Sequence, residues 1–236
     1  MIRPASWYRM ALLVLLGATL GLAGCASGVD RDPVDPLEDF NRSIFRFNDS
    51  LDRAVIRPVA RGYAKITPAP VNKGVTNFFN NLGDVRSALN NLLQFKIGRA
   101  FSDVGRVALN STLGILGLMD VASNMKLPRY NEDFGQTLGA WGFGSGPYLV
   151  LPVVGASSGR DGIGFVVDWF TDPIYYLDNP AVSWTLRGLD LVDTRADLLS
   201  ASRVLETAAL DPYSFIRDSY LQRRQSLVYD GNPPEE

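Results

Sequence analysis

FGQTLGAWGFGSGPYLVLPVVGASSG, residues 134–159, runs for 26 residues without a charge. An apolar run of about 18 or more residues ordinarily nominates a membrane-spanning helix. This one holds seven glycines and two prolines, the two poorest helix formers. It therefore reads as a glycine-jointed loop or hairpin, with Tyr148 to Val154 extended. Irregular, uncharged backbone needs protein or water to satisfy its polar groups, so the stretch is expected to pack against the rest of the chain.

The sequence on either side is helical in pattern. Phe40, Ile44, Phe45, Phe47, Leu51, Ala54 and Val55 recur at helical spacing, and Pro58 closes that run. TPAP (67–70) reads as a linker. Val75, Phe78, Phe79, Leu82, Val85, Leu89, Leu92 and Leu93 form one apolar face, opposite Asn77, Asn80, Asn81, Asp84 and Arg86. Further helices are predicted over 97–109, from about 160 to 171, from Pro180 to about Ala209 and from Tyr213 to about Ser226. Asn110-Ser111-Thr112 reads as a cap or turn. Arg187/Asp190 and Arg203/Glu206 are spaced as i,i+3 pairs. With few strands and no repeat, the fold class is mostly α.

Composition removes whole classes of chemistry. The 236 residues include no histidine and one cysteine, and the net charge is −2. Ser-His-Asp and Cys-His catalysis, His-ligated metals, Cys-cluster metals and an intrachain disulfide are excluded. The charge gives no footprint for nucleic acid. Gly155-Ala156-Ser157-Ser158-Gly159 matches the nucleophile elbow G-x-S-x-G, but without histidine or preceding parallel strands it reads as a turn into a helix. Asn41-Arg42-Ser43, Asn48-Asp49-Ser50 and Asn110-Ser111-Thr112 match the glycosylation acceptor, a pattern of little weight here.

The N-terminus is the most specific signal. Arg3 and Arg9 precede an apolar stretch from Met10 to Ala23, then Leu22-Ala23-Gly24-Cys25 forms a lipobox. Residues 1–24 are expected to be a removable lipoprotein signal peptide. Residues 25–36 would be the lipidated N-terminus and a polar tether, 37–226 the helical domain and 227–236 a disordered tail. Cys25 would carry diacylglycerol and an N-acyl chain, with no other cofactor. Two or three acyl chains anchor a protein stably where one does not. Ala26, in place of an aspartate that retains lipoproteins at the inner membrane, favours the outer membrane, inner leaflet, facing the periplasm.

Several segments occur together and in order: DPLEDFNRSIFRFNDSLD (35–52), NKGVTNFFNNLGDV (72–85), NNLLQFKIGRA (90–100), ALNSTLGILGLMDVAS (108–123), NEDFGQTLGAWGFGSGPYLVLP (131–152), GASSGRDG (155–162) and DPYSFIRDSYLQRR (211–224). Across essentially the whole mature chain they resemble the MlaA/VacJ family of outer-membrane lipoproteins. Ala156, where that family often has proline, is a departure, and the C-terminal tail is short. The resemblance implies a non-enzymatic protein that removes mislocalised phospholipids from the outer leaflet. It further implies a helical ring lying flat in one leaflet around a pore, bound to a trimeric outer-membrane porin and delivering lipid to a soluble periplasmic carrier. The loop beside the pore would be the stretch containing Phe134, Gly135, Gly139, Gly142, Gly144, Gly146, Pro147 and Tyr148.

A physical rationale accompanies this. A head group crossing hydrocarbon is costly, and a leaflet is about 15 Å thick, the length of about ten helical residues. Short amphipathic helices would put apolar faces to lipid and polar faces to a channel. Asp161, Asp168 and Arg195 are candidate pore-lining residues, and reversing the charge of Asp161 is expected to alter lipid clearance without lowering abundance. Two other readings stay open: a structural lipoprotein that scaffolds envelope proteins, and a lipid hydrolase.

Overall fold

The structure, a computed structural model, describes residues 32–234. Cys25, the expected signal peptide and most of the expected tether lie outside the described residues.

A helical arm begins the fold. Helix α1 (Glu38–Leu51) passes through one wide turn of π geometry (Asp52–Ile56) into α2 (Arg57–Ile66). Pro58 therefore does not end the helix as its sequence suggests. Proline lacks the N–H and collides with the carbonyl four residues back. Here the preceding turn is widened, with the Arg57 N–H bonded to the Asp52 carbonyl, so the ring sits at the start of a fresh α segment. The linker reduces to a bend at Thr67 and Pro68, because Pro70 is tolerated in the first turn of α3 (Ala69–Leu93).

Helix α4 (Ile97–Thr112) runs back along α3. The reversal uses Phe95 at φ 59°. After Thr112 the chain makes apolar turns in which Ile115, Leu116 and Gly117 all have positive φ. Gly117 is required there, because a Cβ would stand 2.8 Å from the Asn81 side chain. A single turn, α5 (Val121–Asn124), is capped by Asp120.

The glycine-rich stretch divides into three parts. Phe134–Ala140 is a helix, α6, contrary to the expected loop, and the Asp133 carboxylate caps it by accepting from the Gln136 N–H. Residues 141–147 form an exposed loop. Tyr148–Leu151 (β1) and Gly155–Ser158 (β2) pair as an antiparallel hairpin, Leu151 opposite Gly155. The extended piece thus stops at Leu151, and the G-x-S-x-G segment is a strand, with Ser158 then capping helix α7 (Gly159–Thr171). Glycine appears in α6 for proximity. A Cβ on Gly164 of α7 would lie 2.4 Å from the Gly135 nitrogen, and one on Gly135 would lie 2.5 Å from Asp161. The two helices cross in backbone contact, which only glycine permits.

A short 3₁₀ turn (Pro173–Tyr176) leads to α8 (Pro180–Asp197), α9 (Leu199–Ala208) and α10 (Pro212–Val228). The predicted i,i+3 ion pairs do not form: Arg187 bonds Asp172, and Glu206 bonds Arg57. Tertiary partners outcompete same-helix pairs worth only tenths of a kcal/mol.

Tyr148, Val150 and Tyr213 make a small aromatic core with Phe45 and Tyr220 against them. The free edge of β1 is covered by helix α1, not by a strand. Asn41 donates to the Tyr148 carbonyl at 2.9 Å and accepts from the Val150 N–H at 2.9 Å. Asn48, two turns on, repeats the arrangement with Leu151 and Val153. Two of the glycosylation-like asparagines are thus used to satisfy strand backbone. At the ends of the domain, Asp35 is buried and accepts from Asn41 and the Tyr213 hydroxyl. Asp230 holds Lys96 and Arg99. The packed structure therefore extends into both the expected tether and the expected tail.

Candidate functional site

The interior of this fold is polar. Among the described residues 18 polar or charged side chains are buried against eight apolar ones, four of them alanine. Large apolar side chains face outward instead: Phe101 is 73% exposed, Leu116 71%, Trp184 66% and Ile163 61%. Proteins surrounded by water show the opposite arrangement, and apolar exposure on this scale marks contact with lipid or protein.

The helices explain how this arises. On α3, Asn81, Asp84, Ser87 and Asn91 share the inward face, while Leu89 and Leu92 point out. Helix α4 answers with Asp103, Arg106 and Asn110 at i, i+3 and i+7. Arg106 bonds Asp84 at 3.0 Å with both side chains buried, and it also reaches Asp120, Ser123 and the Leu127 carbonyl. Arg129 takes the other Asp84 oxygen at 2.7 Å. Between the outward faces of α3 and α4 runs an apolar groove of about 510 Å³, lined by Leu89, Leu92, Phe101 and Val104 among others.

A second polar cluster joins α6, α7 and α10. Arg224 donates to Asp133 and, at 2.9 Å, to Asp161. Asp161 also accepts from the Tyr220 hydroxyl at 2.6 Å and from Arg160 at 3.0 Å. Burial alone would raise both acids. The Arg224 guanidinium overrides it for Asp133, which falls to about 2, and the Tyr220 hydroxyl with Arg224 lowers Asp161. Asp168 is raised by burial, although the Phe134 N–H and Asn90 donate to it. Asp103 is pushed by burial to about 6 despite its bond from Asn91.

The candidate lining residues are thus separated. Asp161 and Asp168 share the inward side of α7: Asp168 accepts from the Phe134 N–H at the start of α6, and Asp161 lies against Gly135. Asp161 borders a cavity of about 490 Å³ with Ser145, Ser158, Arg160 and Arg224. Arg195 lies elsewhere, bonded to Asp52 at 2.7 and 2.9 Å, beside a cavity of about 310 Å³. With Asp161 in a buried ion-pair network, reversing its charge breaks the network, so the expectation of unchanged abundance does not hold. In the loop, Gly142 and Gly146 have φ of 91° and 66°, and Trp141 ties it to the Leu93 carbonyl. Gly144 is exposed, Pro147 ends the loop with its carbonyl accepting from the Gly159 N–H, and Tyr148 begins β1.

The sequence does not single out the interior asparagines. Asn41, Asn81, Asn90, Asn91 and Asn110 are all buried, and their clustering on helix faces was the available clue. Among the described residues no group of three or more acidic or cysteine side chains is placed to hold a metal. Ser157 of the elbow-like motif is buried in β2, its hydroxyl on the Ser158 carbonyl.

Fold and interior together define a helical protein built inside-out, with a polar network within and an apolar coat without. The chain belongs to the MlaA lipoprotein family, whose model matches residues 33–227. It is 39% identical over 224 residues to the intermembrane phospholipid transport system lipoprotein MlaA of Escherichia coli K12, covering 92% of this chain and 87% of that one. The protein of the same name from Haemophilus influenzae is 36% identical over 231 residues, 93% and 91% of the two chains. A solved structure described as the structural basis for maintenance of bacterial outer membrane lipid asymmetry superposes with a TM-score of 0.71. It has 37% identity and covers 84% of this chain and 100% of its own.

Proposed function

We propose that this protein removes phospholipids that have strayed into the outer leaflet of the outer membrane and passes them to a soluble periplasmic carrier. In this reading acyl chains on Cys25 hold it in the inner leaflet, a trimeric porin meets part of its apolar coat, and no catalysis occurs. The inverted burial carries the proposal: Phe101, Trp184 and Ile163 outside, Asp84, Arg106 and Asn91 inside. Such a body dissolves in hydrocarbon while keeping a polar interior past which a head group can move. The flat ring, its pore and the 141–147 loop beside it belong to the same proposal.

The helices set the orientation. No helix among the described residues is long and apolar enough to cross a membrane. Yet α3, with 25 residues, is about 38 Å long, more than twice a leaflet's thickness. The long helices therefore lie along the membrane plane and do not stand in the leaflet as ten-residue pieces would. No energy source is part of this reading, so net direction comes from gradients or from partners.

Labelling tests the embedding. Cys25 is the only cysteine, so single cysteines at Phe101, Trp184 and Arg53 can be spin-labelled in the full-length lipoprotein in bilayers. Labels at 101 and 184 are expected to collide with oxygen more than with a water-soluble nickel chelate, and the label at 53 the reverse. Chelate access to 101 and 184 equal to that at 53 would overturn the proposal.

A further inference from the structure

Between α3, the 3₁₀ turn and α8 lies a slot of about 90 Å³, bordered by Phe79, Leu82, Arg86, Asp172, Ile174 and Asp190. A water takes about 30 Å³ of the liquid, so the slot admits a small polar group and no acyl chain. Its charged groups are unusual in being uncommitted. The Arg86 side chain makes no hydrogen bond or ion pair among the described residues, and its Nε is buried without a partner. Asp190, about three turns from the start of α8 and on the same slot, likewise accepts no hydrogen bond among the described residues. Arg187 gives Nη1 to Asp172 at 2.9 Å and lies 3.8 Å over the Trp169 ring, but its Nη2 is also buried and unpaired.

Elsewhere in the interior the buried acids have partners: Asp84 and Asp161 a guanidinium, and Asp103, Asp168 and Asp193 amide or hydroxyl donors. Here two opposite charges line one slot and are held too far apart to pair. For Asp190 partial burial raises the titration, with Asp193 and Asp172 adding to it and the charges of Arg86 and Arg187 opposing it. A buried polar group without a partner in the chain is met by water or by a bound molecule, and Arg86 Nε is such a group. The complement of a separated carboxylate and guanidinium is a molecule carrying an ammonium and a phosphate a short distance apart.

We propose that this slot is a head-group subsite for a zwitterionic aminophospholipid, with the ammonium on Asp190 and the phosphodiester on Arg86. The inference rests on the phospholipid-transport reading above and adds head-group selectivity to it. Guanidinium–phosphate and carboxylate–ammonium contacts are the strong, charge-assisted kind. A glycerol head group would give its phosphodiester to Arg86 but offer Asp190 a neutral hydroxyl in place of an ammonium. A trimethylammonium head has the charge but no N–H to donate, and it is bulkier than the slot favours.

The test is lipid retention by the full-length lipidated protein, offered equal amounts of phosphatidylethanolamine, phosphatidylglycerol and phosphatidylcholine in mixed micelles and read by native mass spectrometry. Wild type is expected to retain phosphatidylethanolamine about tenfold over the other two, the fold-change of one charged hydrogen bond. Asp190→Asn is expected to bring the three close to parity, and Arg86→Gln to lower retention of all of them. Equal retention of the three lipids by wild type would overturn the inference while leaving transport standing. So would a preference that survives Asp190→Asn. Retention of none of them would overturn both. The wild-type comparison needs no variant, so it decides the matter even if a substitution impairs folding.

Discussion

Gly164→Ala probes the contact on which the glycine-rich stretch is organised. The added methyl would lie 2.4 Å from the Gly135 nitrogen, 2.7 Å from its Cα and 3.1 Å from the Phe134 carbonyl carbon. Carbon atoms prefer about 3.5–4.0 Å, so α6 and α7 must separate by about 1 Å. These neighbours are backbone, and no side chain can swing away. Overpacking of this kind costs about 1–3 kcal/mol. The separation also stretches the Phe134 N–H bonds to Asp168, at 3.0 and 3.2 Å, and a hydrogen bond to a charged group is worth about 1.5–3 kcal/mol. Alanine returns about 1 kcal/mol of helix propensity, leaving a net loss of about 2–4 kcal/mol. Gly188, in α8 with nothing within 4 Å of its would-be Cβ, is the control: Gly188→Ala should be neutral or stabilising by up to about 1 kcal/mol. Denaturant unfolding of both variants in detergent gives the comparison. If Gly164→Ala is no less stable than Gly188→Ala, the close crossing is not what requires glycine there.

Other outcomes follow from the interior. Arg224→Gln leaves half-buried Asp133 and buried Asp161 without their shared cation and should cost about 3–5 kcal/mol, seen as sharply reduced abundance; normal abundance would contradict the network. Asp103 titrates near 6 in the fold against 3.8 ordinarily. The folded state thus holds the proton to higher pH. The stability this group confers is fully present below 3.8 and lost as pH rises through 6, a difference of about 3 kcal/mol. Asp103→Asn should therefore be more stable than wild type at pH 7 and lose that advantage at pH 4; a gap independent of pH would refute the assignment. Asn48→Ala leaves the Val153 N–H and Leu151 carbonyl without their partner and should cost about 1–2 kcal/mol, measured by the same unfolding.

Much of this fold is written in helical periodicity. The apolar rows on 75–93, 97–109 and 163–170 became helices close to where the spacing puts them. The pattern does not say which face meets the core, however. Asn81, Asp84 and Asn91 look like a water-facing row, and their burial depends on α4 bringing Asp103 and Arg106 opposite. Pro58 and Gly135 mislead for a related reason. Each breaks a helix in isolation, and each is accommodated by something distant or non-standard, a widened turn in one case and a glycine on another helix in the other. Asp161 and Asp168, seven residues apart, fall on one face of a helix by spacing alone. What the spacing could not show is that Arg224, 63 residues on from Asp161, would claim the carboxylate. Arg86 and Asp190, far apart in sequence, gave no local sign of sharing a slot.

The most direct test of the central claim is outer-leaflet phospholipid in cells lacking this protein, measured with a probe that cannot pass the outer membrane. Complementation would use wild type and Cys25→Ala. The account predicts that surface phospholipid rises on deletion and that only the lipidated form restores it. Unchanged surface phospholipid would contradict the account and leave a scaffolding lipoprotein as the better description.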